Sequence, residues 1–179
     1  MPRIYDYVRD ADIASLFNLL LARTNTRAFS GGTLAAKATA DADLKTTTTI
    51  NYALNGKCII QAAAATIDVS GLAGCVAGVA AGTWTQAAAK YAAYLLTLAS
   101  GTWNLLKGLD AATSAAALML LPACPANVCP VGMVVVTNTT NPFIFGTTNS
   151  DAAGVTFTCS DLSDIVNGLG SCYLDTITQ

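Results

Sequence analysis

Three observations predict an α+β, β-rich fold: an Asn55-Gly56 pair between two strand-like runs, a Ser100-Gly101 pair between two more, and one Ala- and Leu-rich segment after Lys107. We read residues 45–179 as one domain of two β-hairpins, a helix and further short strands. Residues 1–44 form an N-terminal amphipathic helical arm in this reading. The length of 179 residues suits a single domain, since domains commonly run about 100 to 200 residues and can then bury a real core.

The arm is predicted from residues 12–23, where Ile13, Leu16, Phe17, Leu20 and Leu21 follow the i, i+3, i+4 spacing of an amphipathic helix. Asp10 or Asp12 can cap it, and Arg23 and Arg27 lie near its end, where cations suit the helix dipole. Ser30-Gly31-Gly32 then reads as a flexible break. The apolar stripe either packs on its own domain or docks on a partner, and these five side chains are the candidate partner-binding residues.

The first hairpin spans residues 46–54 and 57–70, because Asn-Gly favours the positive φ angles of a type I′ turn. Alternation places Thr46, Thr48, Ile50, Tyr52 and Leu54 on one face and Thr47, Thr49 and Asn51 on the other. The Gly- and Ala-rich stretch at 71–82 has little periodicity and reads as a loop or a weakly formed strand. The second hairpin covers 88–99 and 102–106. Helix competes for 86–98, since Ala, Leu and Lys favour it, but Ser-Gly-Thr-Trp reads as a turn leading into a second strand. Residues 110–121 are predicted as a helix that starts at Asp110 and is ended by Pro122. Residues 131–137 form a buried strand by their Val content, and 143–145, 155–159 and 173–178 are shorter strand candidates.

Composition narrows the function. Only 11% of residues are charged, against about 25% in an average domain. All eleven acids are Asp; there is no His and no Glu, while Ala and Thr together supply 56 residues. Without His the commonest general base and metal imidazole are missing, so an enzyme is not expected and no cofactor is assigned. Nucleic-acid binding is disfavoured because no cation follows Lys107, while five Asp do. Membrane spans are disfavoured because the uncharged stretches at 69–89 and 111–136 are diluted by polar residues, Gly and Pro. The first twelve residues carry Asp6, Asp10 and Asp12 and do not read as a secretory signal.

Six cysteines (Cys58, Cys75, Cys124, Cys129, Cys159 and Cys172) permit 15 pairings, and sequence alone does not choose among them. We read them as small buried hydrophobes with one or two bridges rather than as zinc ligands, since Cys124 and Cys129 lack a matching second pair. Asp161 and Asp164 read as stabilising acids at a helix N-terminus rather than a cation site, and Asp41 and Asp43 as solvated loop residues. Trp84, Trp103, Tyr91 and Tyr94 read as core side chains rather than a carbohydrate-binding face.

The order of elements carries a resemblance. The run Lys45-Thr46-Thr47-Thr48-Thr49-Ile50-Asn51-Tyr52-Ala53-Leu54-Asn55-Gly56 is followed by a strand led by Lys90 and Tyr91 that turns at Gly101. Ser114-Ala115-Ala116-Ala117-Leu118, Leu121-Pro122-Ala123 and Val131-Gly132-Met133-Val134 come next. This series resembles a family of small virion structural proteins of tailed bacteriophages. The resemblance covers residues 45–137; the cysteines, the N-terminal helix and the tail beyond Asn138 depart from it. It implies a capsid decoration or head-fibre-like protein that binds the major capsid protein or neighbouring virion subunits. It also implies a homo-oligomer, a trimer if the protein sits on capsid threefold positions. Synthesis in the host cytoplasm and release into an oxidising exterior would reconcile bridged cysteines with the missing signal. The alternatives are a host-surface binding module of a tail fibre or spike, and a self-assembling filament or surface-layer subunit.

Overall fold

The computed structural model describes residues 26–38, 41–70, 72–74, 85–121, 124–125 and 127–162. The helix predicted at 12–23 and the strand predicted at 173–178 lie outside the described residues. Within them the fold is mostly β, with antiparallel sheets and one short helix. In chain order the elements are β1 (Arg27–Ala28), β2 (Leu34–Ala36), β3 (Leu44–Thr46), β4 (Ile50–Leu54), β5 (Lys57–Gln61), β6 (Ala73–Gly74) and β7 (Thr85–Gln86). They continue with β8 (Lys90–Ala99), β9 (Thr102–Lys107), α1 (Ser114–Met119), β10 (Cys129–Asn138), β11 (Phe143–Ile144) and β12 (Val155–Asp161).

Both predicted hairpins form. Asn55 and Gly56 take φ of 51° and 80°, and Ser100 and Gly101 take 50° and 88°, the left-handed pair a type I′ turn requires. β4 and β5 pair from Leu54↔Lys57 to Ile50↔Gln61, and β8 and β9 pair from Ala99↔Thr102 to Tyr94↔Lys107. Residues 46–54 are not one strand, however, and the returning strand ends at Gln61 instead of running on to Ser70. The chain bends at Thr47 and Thr48, whose N–H groups both donate to the Gly32 carbonyl, so β3 pairs with β2 while β4 joins a different sheet.

The larger sheet has the order β12-β10-β8-β9-β6, with β6 parallel to β9, and the smaller has the order β1-β4-β5. One face of the larger sheet supplies Ala92, Tyr94, Leu96, Leu98, Leu105, Val134 and Val136; the inner face of the smaller supplies Ala28, Ile50, Tyr52 and Leu54. These form one core, and Phe143 and Phe145 join it. Phe145 lies 4.8 Å from Tyr94 and 5.1 Å from Phe157, ring centre to ring centre. Tyr52 also ties the layers together at the surface, its hydroxyl accepting from the Gly101 N–H at 2.9 Å. Gln86 is fully buried but satisfied: its amide donates to the carbonyls of Lys90 and Val136, and its oxygen accepts from the Tyr94 hydroxyl.

The opposite face of the larger sheet carries Ala93 and Val135 against Ala111 and Ala117 of the helical segment. That helix is six residues long, not the twelve of 110–121, and begins four residues later than predicted. Thr113 is its N-cap, accepting from the Ala116 N–H. Asp110 is engaged elsewhere, with Lys107 and with the Ala87 N–H, and Ala111 bridges back to Tyr91 in β fashion. Among the described residues no helix is long and apolar enough to cross a membrane.

Two further expectations are corrected. Gly31-Gly32 is not a flexible break but a close crossing: a Cβ on Gly32 would lie 2.7 Å from Ile50 Cδ1, and one on Gly31 2.7 Å from the Asp161 side chain. Ser160 and Asp161 are strand residues that end β12, which runs two residues beyond the predicted 155–159; Asp164 lies outside the described residues.

Candidate functional site

The predicted partner-binding residues Ile13, Leu16, Phe17, Leu20 and Leu21 lie outside the described residues. The chain that follows them is placed, however. Thr26 is buried and its hydroxyl accepts from the Asn55 N–H at 2.9 Å, and Arg27–Ala28 pairs with Ala53 and Tyr52. From Thr26 onward the segment assigned to the arm by composition therefore runs within the β body. Ala28, Leu34 and Leu44 are all core residues.

At this junction the smaller sheet presents an outer face of mixed character. The Arg27 guanidinium sits 4.9 Å from the centre of the Phe29 ring, a stacking that holds the ring while leaving it 41% exposed. Asn51 lies beside it, then Ile60 on β5, which is 74% exposed, with the exposed Cys58 two residues earlier. A second outward apolar cluster stands at the end of α1. Leu109 N–H donates to the Leu120 carbonyl at 3.3 Å, which sets the Leu109 backbone beside the helix end where Met119 and Leu120 lie, and all three side chains are exposed. Sequence reasoning missed both clusters. The signal in α1 is that a six-residue helix turns Ala117 to the sheet, leaving Met119 no apolar face to occupy.

The polar groups are committed to holding the fold. Asp161 accepts from Leu34 N–H at 2.9 Å and from Thr33 N–H at 3.0 Å, clamping β2 beside β12. Asp41 and Asp43 are not simply solvated: both pair with Lys37, at 3.0 and 3.5 Å, and Asp43 also accepts from the Val69 N–H. The Asp43 N–H and the Lys37 ammonium hold the Asp41 carboxyl below the usual carboxylate range, and Asp41 and Asp43 raise Lys37 in return. A shallow depression of about 550 Å³ beside this group is lined by Lys37, Lys45, Ser150, Asp151 and Phe157, among others.

Burial pushes the Cys129 thiol up to about 12 and Cys159 up to about 11, so both stay protonated and weakly nucleophilic at neutral pH. Among the described residues Cys58, Cys129 and Cys159 form none of the expected bridges, and Cys124 Sγ lies 3.9 Å from the Val128 carbonyl; Cys75 and Cys172 lie outside the described residues. Among the described residues no three His, Cys, Asp or Glu side chains converge on a common point. The aromatic residues behave as core: Tyr94 is fully buried, Trp103 packs on the main core and Tyr91 on the helix side; Trp84 lies outside the described residues.

These features define a small antiparallel β structure whose exposed apolar groups gather at a sheet edge and at a helix end. No protein-family model, curated protein or solved structure matches the chain.

Proposed function

We propose that the chain is a structural protein of a tailed-bacteriophage virion, a decoration subunit that binds the shell of major capsid protein and works as a homo-oligomer. The observation that carries this reading is the order of elements over residues 45–137, which resembles that of small phage virion proteins. Composition supports it. A neutral chain rich in small residues suits close packing of like subunits, and exposed apolar groups such as Ile60, Leu109 and Met119 suit contacts within an assembly. In this reading the arm residues Ile13, Leu16, Phe17, Leu20 and Leu21 anchor the subunit to the shell or to a neighbour.

The test is deletion of residues 1–25. Removing 1–30 would also take away β1 and the buried Ala28 and so confuse docking with folding. The truncated chain should keep its melting temperature and the β component of its far-ultraviolet circular dichroism, losing only the helical contribution of 12–23, but no longer co-sediment with particles. Retained co-sedimentation overturns the arm's role. Gold-labelled protein should decorate the head of intact particles; label confined to the tail tip would replace decoration with host-surface binding.

A further inference from the structure

Among the described residues the pairing of the smaller sheet leaves the outer edge of β5 open. Phe29 N–H donates to the Asn51 carbonyl at 2.7 Å, so the backbone groups of Asn51 face β1 and away from β5. In an antiparallel ladder, residues directly opposite share this sense and the sense alternates along the strand. Ile60, opposite Asn51, and Cys58, opposite Ala53, therefore turn their N–H and C=O groups outward, away from β4. Among the described residues no backbone group pairs with them.

The comparable edge of the larger sheet is covered by a second segment. Along β12, the Asp161 carboxylate holds the Thr33 and Leu34 amides, so β2 lies beside that strand. Open edges are normally blunted by charge, Pro or a bulge. β5 has Lys57 at its first position, then Cys-Ile-Ile-Gln, with no bulge in its register.

We infer that the β5 edge is a strand-pairing site whose occupant is β5 of a second copy of this chain, related by a twofold axis. Self-complementarity favours that occupant. In the antiparallel register centred on Ile59, all five residues of the strand find partners: Lys57 faces Gln61 of the second copy, Cys58 faces Ile60, and Ile59 faces itself. The outward backbone groups of Cys58 and Ile60 are then the ones that bond across the axis. No Lys opposes Lys, and the exposed Ile60 packs beside Cys58 on the outer face. Registers shifted by one residue either way about the axis leave part of the strand unpaired or draw in the Asn55-Gly56 turn. The product is a continuous six-stranded sheet, β1-β4-β5-β5-β4-β1. A twofold contact of this kind joins two monomers, or joins two higher oligomers to each other, and is compatible with a threefold interface elsewhere on the subunit.

The test is the mass of the full-length chain by sedimentation velocity from about 1 to 100 μM, alongside I60P and I60K. Proline at 60 removes a donor that faces outward and takes no part in the β4 ladder, so the hairpin keeps its bonds while the edge loses one. The wild-type chain should reach twice the mass of I60P at the upper concentrations, whether that is two against one copy of the 18.3 kDa chain or six against three. I60K, which leaves the backbone intact, should move the association midpoint at least tenfold higher in concentration. If I60P alters the circular dichroism, I60K decides. Equal masses for wild type and I60K, or a wild-type chain that stays a monomer at 100 μM, overturn the inference. Because particle binding is not the readout, failure of the decoration reading leaves this result standing, and the reverse holds as well.

Discussion

The two hairpins share a turn and differ in almost everything else. Asn55-Gly56 and Ser100-Gly101 adopt the same left-handed pair of φ angles, yet β8 is buried at seven consecutive positions, 92–98, while β5 is exposed at Lys57, Cys58 and Ile60. The turn is a local matter, settled by two residues. Position in the layers is not: it depends on whether one or both faces of the strand are apolar. Along β8, Ala92, Tyr94, Leu96 and Leu98 meet the core, while Ala93, Leu95 and Thr97 are buried on the other face. Along β4, Ile50, Tyr52 and Leu54 meet the same core, but Asn51 faces water, so that hairpin can only be an outer layer.

The largest effect expected from this contrast is in paired truncations. Leu96→Ala on β8 removes a fully buried side chain between two layers and should cost about 2–5 kcal/mol in urea unfolding. Ile60→Ala on β5 should change stability by less than about 0.5 kcal/mol, because the side chain is already in water. Comparable losses at the two sites, measured at a concentration where the chain does not self-associate through β5, would mean that the outer face of β5 is covered within the monomer, and the distinction between the hairpins would collapse.

A smaller effect should come from the covered edge. Asp161→Ala removes the acceptor for two backbone amides, Thr33 and Leu34, that tie β2 to β12. Hydrogen bonds to a charged group contribute about 1.5–3 kcal/mol, and the exposure of Asp161 places the loss at or below the lower end of that range. Amide exchange should quicken at Thr33 and Leu34 while the centre of β8 keeps its protection. Unchanged exchange at both amides would show that the clamp contributes nothing to holding that edge.

What the sequence disclosed follows the same division between local and distant causes. Turns are legible because Asn-Gly and Ser-Gly act through their own backbone, and the strand expected over 88–99 forms over Lys90–Ala99, where the turn after Ala99 outweighs helix propensity. The helix at 110–121 was overextended because Asp110 looks like a cap, and nothing nearby reveals that it is taken by Lys107 and the Ala87 amide. Gly31-Gly32 was misread for a related reason. Glycine signals either freedom or close approach, and here the deciding neighbour, Asp161, is about 130 residues away. The exposed clusters around Ile60 and around Met119 were invisible because alternation marks a face without saying whether another layer covers it.

The smallest effect expected lies in the ionic group outside both hairpins, and its pH dependence has a definite sign. The Asp41 carboxyl is held below its ordinary value of 3.8, so what it contributes is fully present above about pH 4 and is lost as pH falls through the lower folded-state value. Lys37 is raised above 10.5, so its contribution is fully present below that value and is lost as pH rises through the higher folded-state value. Between those limits the interaction is constant. The difference in melting temperature between the wild-type chain and Lys37→Met should therefore be small and flat from about pH 5 to 9, and should narrow towards both extremes. The pair sits in the β2–β3 connection, with Asp43 reaching the Val69 amide, and touches neither hairpin turn. A difference that varies between pH 5 and 9 would place another titrating group in contact with Lys37, and a difference that grows in acid would reverse the assigned sign for Asp41.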